Sequence, residues 1–452
     1  MTARNVLLIA AALGMAAATP AGAQLGPVAP DIAPTTRAAA ADTRSKQLPP
    51  PIVFFVARGD ANACGPGCRE WIAAEGTIDP GADDRLRALL KKLGGRKLPI
   101  FFHSPGGAVP NGLAIGRVMR QHGLTAGVGW TVPAGCDPKQ QREPACDKLK
   151  RSGRELVAVL DTGHTMCNSS CVYALVGAAV REVGAGVQLG VHSSSISFTL
   201  KRTDSQGHVT RTPTRVAPTV ERKALEGGYE RISAYLREMG ISPGLLTAAR
   251  EVDSSKLHFL TREQMVAFGI DRRNVVEGMW WFVESGPSAV KLIEENRAGV
   301  FRKDILRLTC RNASTLRLQY GRDLGANAQG WPVLLRLTAG AGSFVLGSPV
   351  KATQSDSRAP MEVRSVDLPL SVLGDAAFTI EPVDAVAALA KSRVPGGSKP
   401  EGDLTAAAAA PSPAAQIIKV TVQSAGPGIG ELSRHCGDGP PSISKGAPSE
   451  RI

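Results

Sequence analysis

The chain has 452 residues, of which 43% are hydrophobic and 21% are charged, so its length favours two folded domains with linkers over one small core. The formal net charge is +13, but Lys and Arg are scattered and aromatic residues make up only 4% of the chain. This pattern argues against specific nucleic-acid binding. The charge instead favours weak association with an anionic envelope component.

The N-terminal segment has the features of an export signal. Arg4 supplies a basic start, and the apolar run at 6–18 is too short to span a bilayer. Small residues at its end predict cleavage after Ala23, which makes 1–23 a signal peptide and the mature chain periplasmic or secreted. A membrane anchor is the alternative interpretation. Residues 24–50 are rich in Ala, Pro, Thr and Arg without an apolar period, and are predicted to be a disordered leader.

From residue 51 to 280, short apolar strands alternate with amphipathic helices. Strands are predicted at 52–56, 71–76, 98–102, 124–130, 156–160 and 187–192, and helices at 83–93, 113–119, 170–181, 220–239 and 243–250. The alternation predicts an α/β domain whose parallel sheet is built by right-handed crossovers. The basic segment 200–222, rich in hydroxyl side chains and proline, is predicted to be a long surface excursion.

Beyond about residue 281, the pattern of apolar residues changes to short strands separated by Gly, Pro and Ser. Strands are predicted at 305–308, 316–318, 333–337, 344–346, 378–380 and 417–422. They indicate a C-terminal antiparallel β-rich domain over 281–437, an antiparallel sandwich or small barrel. A flexible insertion is expected near 385–415, and a disordered tail at 438–452.

The chain has eight cysteines, an even number that predicts disulfides in an exported protein. Cys136 with Cys146, and Cys310 with Cys436, are the natural pairs. The two remaining C-x3-C pairs either close locally or cross-link to one another; they are Cys64 with Cys68 and Cys167 with Cys171. Zinc is the alternative use of such spacings, but no His lies at a usual ligand distance, so no metal is expected.

A Ser-Pro-Gly-Gly sequence at 104–107 lies between a predicted strand and a predicted helix. Two glycines let backbone N–H groups face outward beside a helix N-terminus, which suits a developing oxyanion. The alternative interpretation is an ordinary tight turn between a strand and a helix, which can have the same sequence.

Three further segments carry chemistry-bearing side chains. Ser169 and Ser170 precede an apolar helix, and His192 ends the strand that returns 23 residues after Ser169, so an imidazole could lie beside a serine hydroxyl. Asp253 follows a helix. Each has an ordinary alternative: a helix cap, a structural histidine and a turn former. The residues alone do not rank Ser169 against Ser170.

The order of these pieces resembles the ClpP family of serine peptidases in the ClpP/crotonase superfamily, over roughly residues 52–275. Asp253 lies six residues before Phe-Leu-Thr, and Phe-Gly-Ile-Asp follows at 268–271. The resemblance implies a Ser169 nucleophile, a His192 base and an Asp253 partner acting on a peptide or protein substrate, without a cofactor. It also implies an oxyanion hole from the N–H groups of Gly107 and Ser170, a substrate groove at Gly106, and a homo-oligomer.

The chain also departs from that family. Cys167 and Cys171 flank the expected nucleophile, where a disulfide could rigidify the helix start or block it. The loop between Cys136 and Cys146, the basic segment 200–222 and the β-rich domain are additions.

Three alternatives to the triad stay open on sequence alone. A Ser-Lys dyad would use Lys201, a catalytically silent scaffold would bind an envelope partner, and a crotonase-type acyl-CoA enzyme would need a catalytic carboxylate and nucleotide recognition for which no candidate is evident.

Overall fold

The protein is described from a computed structural model. It describes residues 50–60, 62–137, 143–163, 165–196, 198–203, 206, 208–283, 286–325, 334–339, 342–348, 350–353, 360–374, 378–383 and 427–437. The expected signal peptide, the leader up to residue 49, the insertion near 385–415, the strand predicted at 417–422 and the tail at 438–452 lie outside them.

The first part of the chain contains helices and strands in alternation. Its strands are β1 (Val53–Arg58), β2 (Glu70–Glu75), β3 (Ile100–His103), β4 (Thr125–Val128), β5 (Trp130–Pro133), β6 (Leu156–Asp161), β7 (Met166–Asn168), β8 (Val180–Glu182), β9 (Gln188–Val191), β10 (Phe198–Thr203), β11 (Val209–Thr214) and β12 (His258–Phe259). Its helices are α1 (Ala82–Lys92), α2 (Val109–Gln121), α3 (Pro144–Lys150), α4 (Ser170–Val176), α5 (Pro218–Glu238), α6 (Gly244–Arg250) and α7 (Arg262–Ala267).

Seven of these strands form the first sheet, in the order β5-β6-β1-β2-β3-β4-β8. The α/β class is confirmed, but the sheet is mixed rather than fully parallel. β1 with β2 and β5 with β6 are antiparallel, whereas the other neighbouring pairs are parallel. The link from β1 to β2 contains no helix, and a short link of this kind returns the chain antiparallel.

Helices α1, α2 and α4 cover one face of this sheet. Successive side chains of each strand point to opposite faces, so the strands contribute to two separate hydrophobic cores. Ile72 and Ala74 pack on the helix side with Leu86 and Val172, whereas Trp71 packs on the opposite side. The predicted helices at 83–93 and 113–119 are confirmed as α1 and α2.

One predicted element needs correction. The helix expected at 170–181 ends at Val176. The N–H groups of Gly177 and Ala178 donate to carbonyls three residues back rather than four, which ends the helix in a tighter turn, and β8 follows. The segment 200–222, predicted as a long surface excursion, contains part of the β10–β11 hairpin and the start of α5, and its described side chains are mostly exposed.

The later part of the chain is antiparallel and β-rich, as expected. Its elements are β13 (Val275–Glu277), β14 (Trp281–Val283), β15 (Ser288–Arg297), β16 (Val300–Asn312), β17 (Thr315–Asp323), β18 (Leu334–Ala339), β19 (Gly342–Val345), β20 (Val350–Thr353), β21 (Pro360–Pro369), a 3-10 turn (Leu370–Gly374), β22 (Phe378–Val383) and α8 (Pro427–Gly437). One sheet has the order β13-β15-β16-β17-β21-β20, with β14 also on β15, and a second has the order β19-β18-β22.

Five strands of this part and α8 were not expected from the sequence: β13, β14, β15, β20 and β21. β15 contains charged residues that obscure an apolar pattern, yet they are buried as ion pairs. Glu294 lies 2.8 Å from Arg262 of α7, and Lys291 lies 2.6 Å from Glu277. α8 packs Ile429 and Leu432 into the core of the β-rich part.

Arg262 joins the two parts of the chain through a buried network. Besides Glu294, it contacts Asp271 at 3.4 Å, and Asp271 accepts hydrogen bonds from Arg273 and from the Val183 N–H. Burial alone would raise the pKa of Asp271, but the hydrogen bonds and charge of Arg273 and the Val183 N–H lower it below its ordinary value. This contribution to stability is therefore present at neutral pH and is lost as the pH falls through that lowered pKa.

The cysteines form four disulfides: Cys64–Cys68, Cys136–Cys146, Cys167–Cys171 and Cys310–Cys436. The two pairs expected from the sequence are confirmed, and both C-x3-C pairs close locally. Four disulfides indicate an oxidising, extracytoplasmic environment. In the part of the chain that the structure describes, no helix combines the length and the apolar character needed to cross a membrane.

Candidate active site

A small three-stranded sheet, in the order β12-β9-β7, brings the expected site segments to one edge. β7 runs parallel to β9, so Ser169 and His192, which directly follow these strands, leave the sheet at the same end. β12 is antiparallel to β9, so the segment that precedes it, with Asp253, reaches this end as well. The strand expected at 187–192 therefore exists, but it belongs to this sheet rather than to the large one.

Ser169 occupies a strained turn between β7 and α4. Its φ is 56° and its ψ is −125°, a conformation that non-glycine residues seldom adopt and that tends to occur at functional sites. Its backbone N–H donates to the Gly190 carbonyl at 2.7 Å, which fixes the turn against β9. The side chain is partly exposed, and Ser169 Oγ has no hydrogen-bond partner among the described residues. This hydroxyl is available for chemistry.

Ser170 differs in environment from its neighbour. Its side chain is fully buried, and its Oγ has no hydrogen-bond partner in the part of the chain that the structure describes. A buried hydroxyl cannot approach a substrate, so the geometry favours Ser169 over Ser170 as the nucleophile, a choice that the sequence left open. Ser170 is the first residue of α4, and its N–H has no intrahelical acceptor. That N–H is free to bind an anion.

The Ser104–Gly107 turn lies directly against the turn that carries Ser169. A Cβ on Gly106 would lie 2.5 Å from the Asn168 carbonyl oxygen and 2.7 Å from the Ser169 Cβ. Gly106 and Gly107 have φ values of 97° and 144°, in the region that favours glycine.

The Gly107 N–H is positioned by its neighbours. The Ile78 N–H donates to the Gly106 carbonyl at 2.8 Å, and the Ala108 N–H donates to the Ile78 carbonyl at 2.7 Å. Between these two bonds, the N–H of Gly107 has no acceptor among the residues that are described. Neither of the two N–H groups expected for an oxyanion hole has an acceptor among the described residues.

His192 is held by a backbone carbonyl rather than by a carboxylate. Its Nδ1 lies 2.7 Å from the Ser193 carbonyl oxygen. Because a carbonyl oxygen only accepts, Nδ1 must carry the proton of this hydrogen bond. In the neutral ring, Nε2 is then the unprotonated nitrogen, which is the state that a general base needs.

The segment that carries Asp253 lies beside the segment that carries His192, but the two side chains are not hydrogen-bonded in the described structure. The Ser193 N–H donates to the Val252 carbonyl at 2.9 Å, which holds the two segments side by side. The Asp253 carboxylate is exposed and accepts from the N–H and Oγ of Ser255, at 2.9 and 2.5 Å. These hydrogen bonds lower the pKa of Asp253. No hydrogen bond joins Asp253 to His192 or His192 to Ser169 in the described structure.

Lys201, the alternative base, lies on the separate β10–β11 hairpin, and its side chain is outside the described part of the structure. Within the described part, no cluster of three or more His, Cys, Asp or Glu side chains is arranged to hold a metal ion.

A cavity of about 360 Å³ lies behind the Ser104–Gly107 turn, on the sheet face away from α1 and α2. His103 stacks on Trp130 at this cavity, with ring centroids 4.6 Å apart, and the buried pair of Lys150 and Glu75 lies on its wall at 2.6 Å. Burial raises the pKa of Glu75 despite the lysine. The sequence carried no signal for this pair, because its members are 75 residues apart.

A substitution at Gly106 tests whether the close contact between the Ser104–Gly107 turn and Ser169 is needed for the reactivity of Ser169. The Gly106→Ala variant is expected to slow reaction at Ser169 by on the order of 100-fold, because the new Cβ displaces Ser169. Gly95→Ala is the matched control, since Gly95 has a φ of 92° but open space around it. The reaction rate with a serine-directed phosphonate is measured for both. Equal rates in the two variants would contradict the expectation.

No family model and no curated protein matches the chain. Solved structures do match. They include a mutant of the 1510-N membrane-bound stomatin-specific protease, at 13% identity and a TM-score of 0.25, covering 44% of this chain and 75% of that one. They also include ClpP1 from Listeria monocytogenes, at 15% identity and a TM-score of 0.26, covering 43% of this chain and 85% of that one. ClpP1 is of the family that the motifs resemble.

Proposed function

We propose that this protein is an exported serine peptidase or a related acyl hydrolase, with Ser169 as its nucleophile. The observation that carries the proposal is the conformation of Ser169: a strained, partly exposed residue with an unpartnered hydroxyl, between a strand and a helix N-terminus. Strain of this kind is retained only where the surrounding structure holds it, and it presents a side chain outward.

The chemistry follows from the groups around Ser169. The Ser169 Oγ attacks the carbonyl carbon of an acyl substrate while His192 Nε2 takes its proton. The carbonyl oxygen becomes an oxyanion, which the N–H groups of Gly107 and Ser170 would stabilise. His192 then returns the proton to the leaving amine or alcohol, and a water molecule hydrolyses the acyl-enzyme by the same steps in reverse.

Asp253 is proposed as the partner of the imidazolium that forms during attack. In the structure its carboxylate bonds Ser255, so it must rotate to reach His192 Nδ1. The backbone hydrogen bond between Ser193 and Val252 holds the two segments side by side. Until then, the Ser193 carbonyl holds the ring in the required tautomer.

The proposed organisation follows the sequence expectations. Residues 51–280 would form the catalytic domain, 281–437 a β-rich domain docked on it, and cleavage after Ala23 would release the mature chain. The substrate would be an exposed or small peptide or an unfolded protein segment. A homo-oligomer and contact with an anionic envelope component are part of the same proposal, the latter on the charge of +13.

A fluorophosphonate, which phosphonylates activated serine hydroxyls, tests this function. The mature, oxidised wild type is expected to take up one label per chain, and the Ser169→Ala variant none. Absence of label in the folded wild type would contradict the hydrolase proposal.

One observation favours a second function. Because the Asp253 carboxylate is exposed and bonded to Ser255, the three groups are not joined as a triad in this structure. A catalytically silent scaffold that binds an envelope partner would have no need to join them, and the unlabelled result above would favour it.

A further inference from the structure

Ser169 lies inside a small covalent ring. Cys167, the second residue of β7, is disulfide-bonded to Cys171, the second residue of α4. The ring therefore spans the end of the strand, the strained turn and the start of the helix. Both cysteines are fully buried.

The strand side of this ring is anchored to the oxyanion turn. The Ser104 N–H donates to the Met166 carbonyl at 2.9 Å, and the Asn168 N–H donates to the Ser104 carbonyl at 3.0 Å. β7 is thus paired with the segment that leads into Gly106 and Gly107. It is also paired with β9, which ends just before His192.

The helix side of the ring is anchored to a different layer. α4 packs against α2, where a Cβ on Gly112 would lie 2.7 Å from the Ser170 carbonyl oxygen. α4 also presents the Ser170 N–H, the second proposed oxyanion donor. The disulfide is therefore a covalent link between the layer that holds Gly107 and the layer that holds Ser170.

Ser169 needs such a link because its backbone conformation is unfavourable for a residue with a side chain. Its φ of 56° costs free energy relative to extended backbone, and α4 has only seven residues with which to hold it. Relaxation of this turn would move Ser169 Oγ relative to both N–H donors.

The same geometry argues against a blocking role for the disulfide. Both cysteines are packed in the hydrophobic core with Val172 and Leu189, whereas Ser169 is partly exposed. The sulfur atoms thus lie beneath the turn rather than between Ser169 Oγ and solvent.

From these contacts we propose that the Cys167–Cys171 disulfide is a positioning group, which holds Ser169 in its strained turn and in register with both oxyanion donors. This inference rests on the proposed hydrolase function and adds to it the group that maintains the nucleophile's geometry.

The chain contains a matched control for this idea. Cys64–Cys68 closes a ring with the same sequence separation of 4, in a surface turn between β1 and β2 that does not touch the site. The C167A/C171A and C64A/C68A variants therefore remove rings of equal size, one around the nucleophile and one elsewhere.

The experiment measures the rate of fluorophosphonate labelling at saturating reagent, together with the midpoint of thermal unfolding, for wild type and both variants. C167A/C171A is expected to label on the order of 100-fold more slowly while still folded, and C64A/C68A at the wild-type rate. Equal labelling rates in C167A/C171A and wild type would overturn the positioning role and leave the hydrolase function intact. An unlabelled wild type would instead overturn the hydrolase function.

A second variant covers the case in which C167A/C171A does not fold. C167V/C171A refills part of the lost volume in the core. Its folded form is expected to show the same slow labelling, because the larger side chain restores packing but not the covalent link. Recovery of the wild-type rate by C167V/C171A would show that packing alone positions Ser169, and would also overturn the proposal.

Discussion

Replacing Ser169 by alanine is expected to lower the turnover of a peptide or ester substrate by on the order of 10⁴-fold or more, because the proposed acyl-enzyme forms on the Ser169 hydroxyl. The measurement is steady-state hydrolysis by the mature, oxidised chain. The loss is expected in kcat rather than in KM, because the hydroxyl reacts but contributes little to substrate binding.

Ser170→Ala is the control for this result. The Ser170 Oγ is buried without a partner, and alanine keeps the N–H that the oxyanion hole would use. Turnover by Ser170→Ala is expected to stay within about threefold of wild type, because the variant removes an unsatisfied buried group rather than a reacting one. If Ser170→Ala were inactive and Ser169→Ala active, the assignment of the two serines would be reversed.

Removing the Cys310–Cys436 disulfide is expected to have the largest effect on stability. The disulfide closes a sequence separation of 126, and a closed loop of that length corresponds to about 5 kcal/mol of chain entropy. It also fastens α8 to the β-rich part, where Leu432 is buried. The C310A/C436A variant is therefore expected to lose about 5 kcal/mol of unfolding free energy in a guanidinium titration.

Cys136–Cys146 gives the comparison, because its sequence separation is only 10. Its removal is expected to cost about 3 kcal/mol by the same relation. A smaller loss for C310A/C436A than for C136A/C146A would show that loop length does not determine the contribution of these disulfides.

Much of the fold could be predicted because the apolar residues of many helices and strands recur with a clear period in the sequence. Leu86 and Leu90 follow a helical period, and α1 is found where that period places it. β15 could not be predicted, because Lys291 and Glu294 interrupt its apolar pattern and are neutralised only by partners distant in sequence. The apolar periodicity of a segment carries no information about ion pairs with residues elsewhere in the chain.

The candidate site could also be predicted only in part. The order of the motifs placed Ser169 before a helix and His192 at the end of the next strand. The structure brings the two segments together through the pairing of β9 with β7, a strand that was not predicted. The choice between Ser169 and Ser170 depends on a backbone angle and on burial, neither of which a sequence shows. The hydrogen bonds from Ser255 to Asp253 depend on a local turn, in which a hydroxyl two residues away occupies the carboxylate.

The identity of the phosphonylated residue tests the central claim most directly. Wild-type protein is reacted with a fluorophosphonate and digested, and the modified residue is located by tandem mass spectrometry. The proposed geometry predicts a single adduct on the Oγ of Ser169. An adduct on Ser170 or on any other residue, with Ser169 unmodified in folded protein, would contradict it.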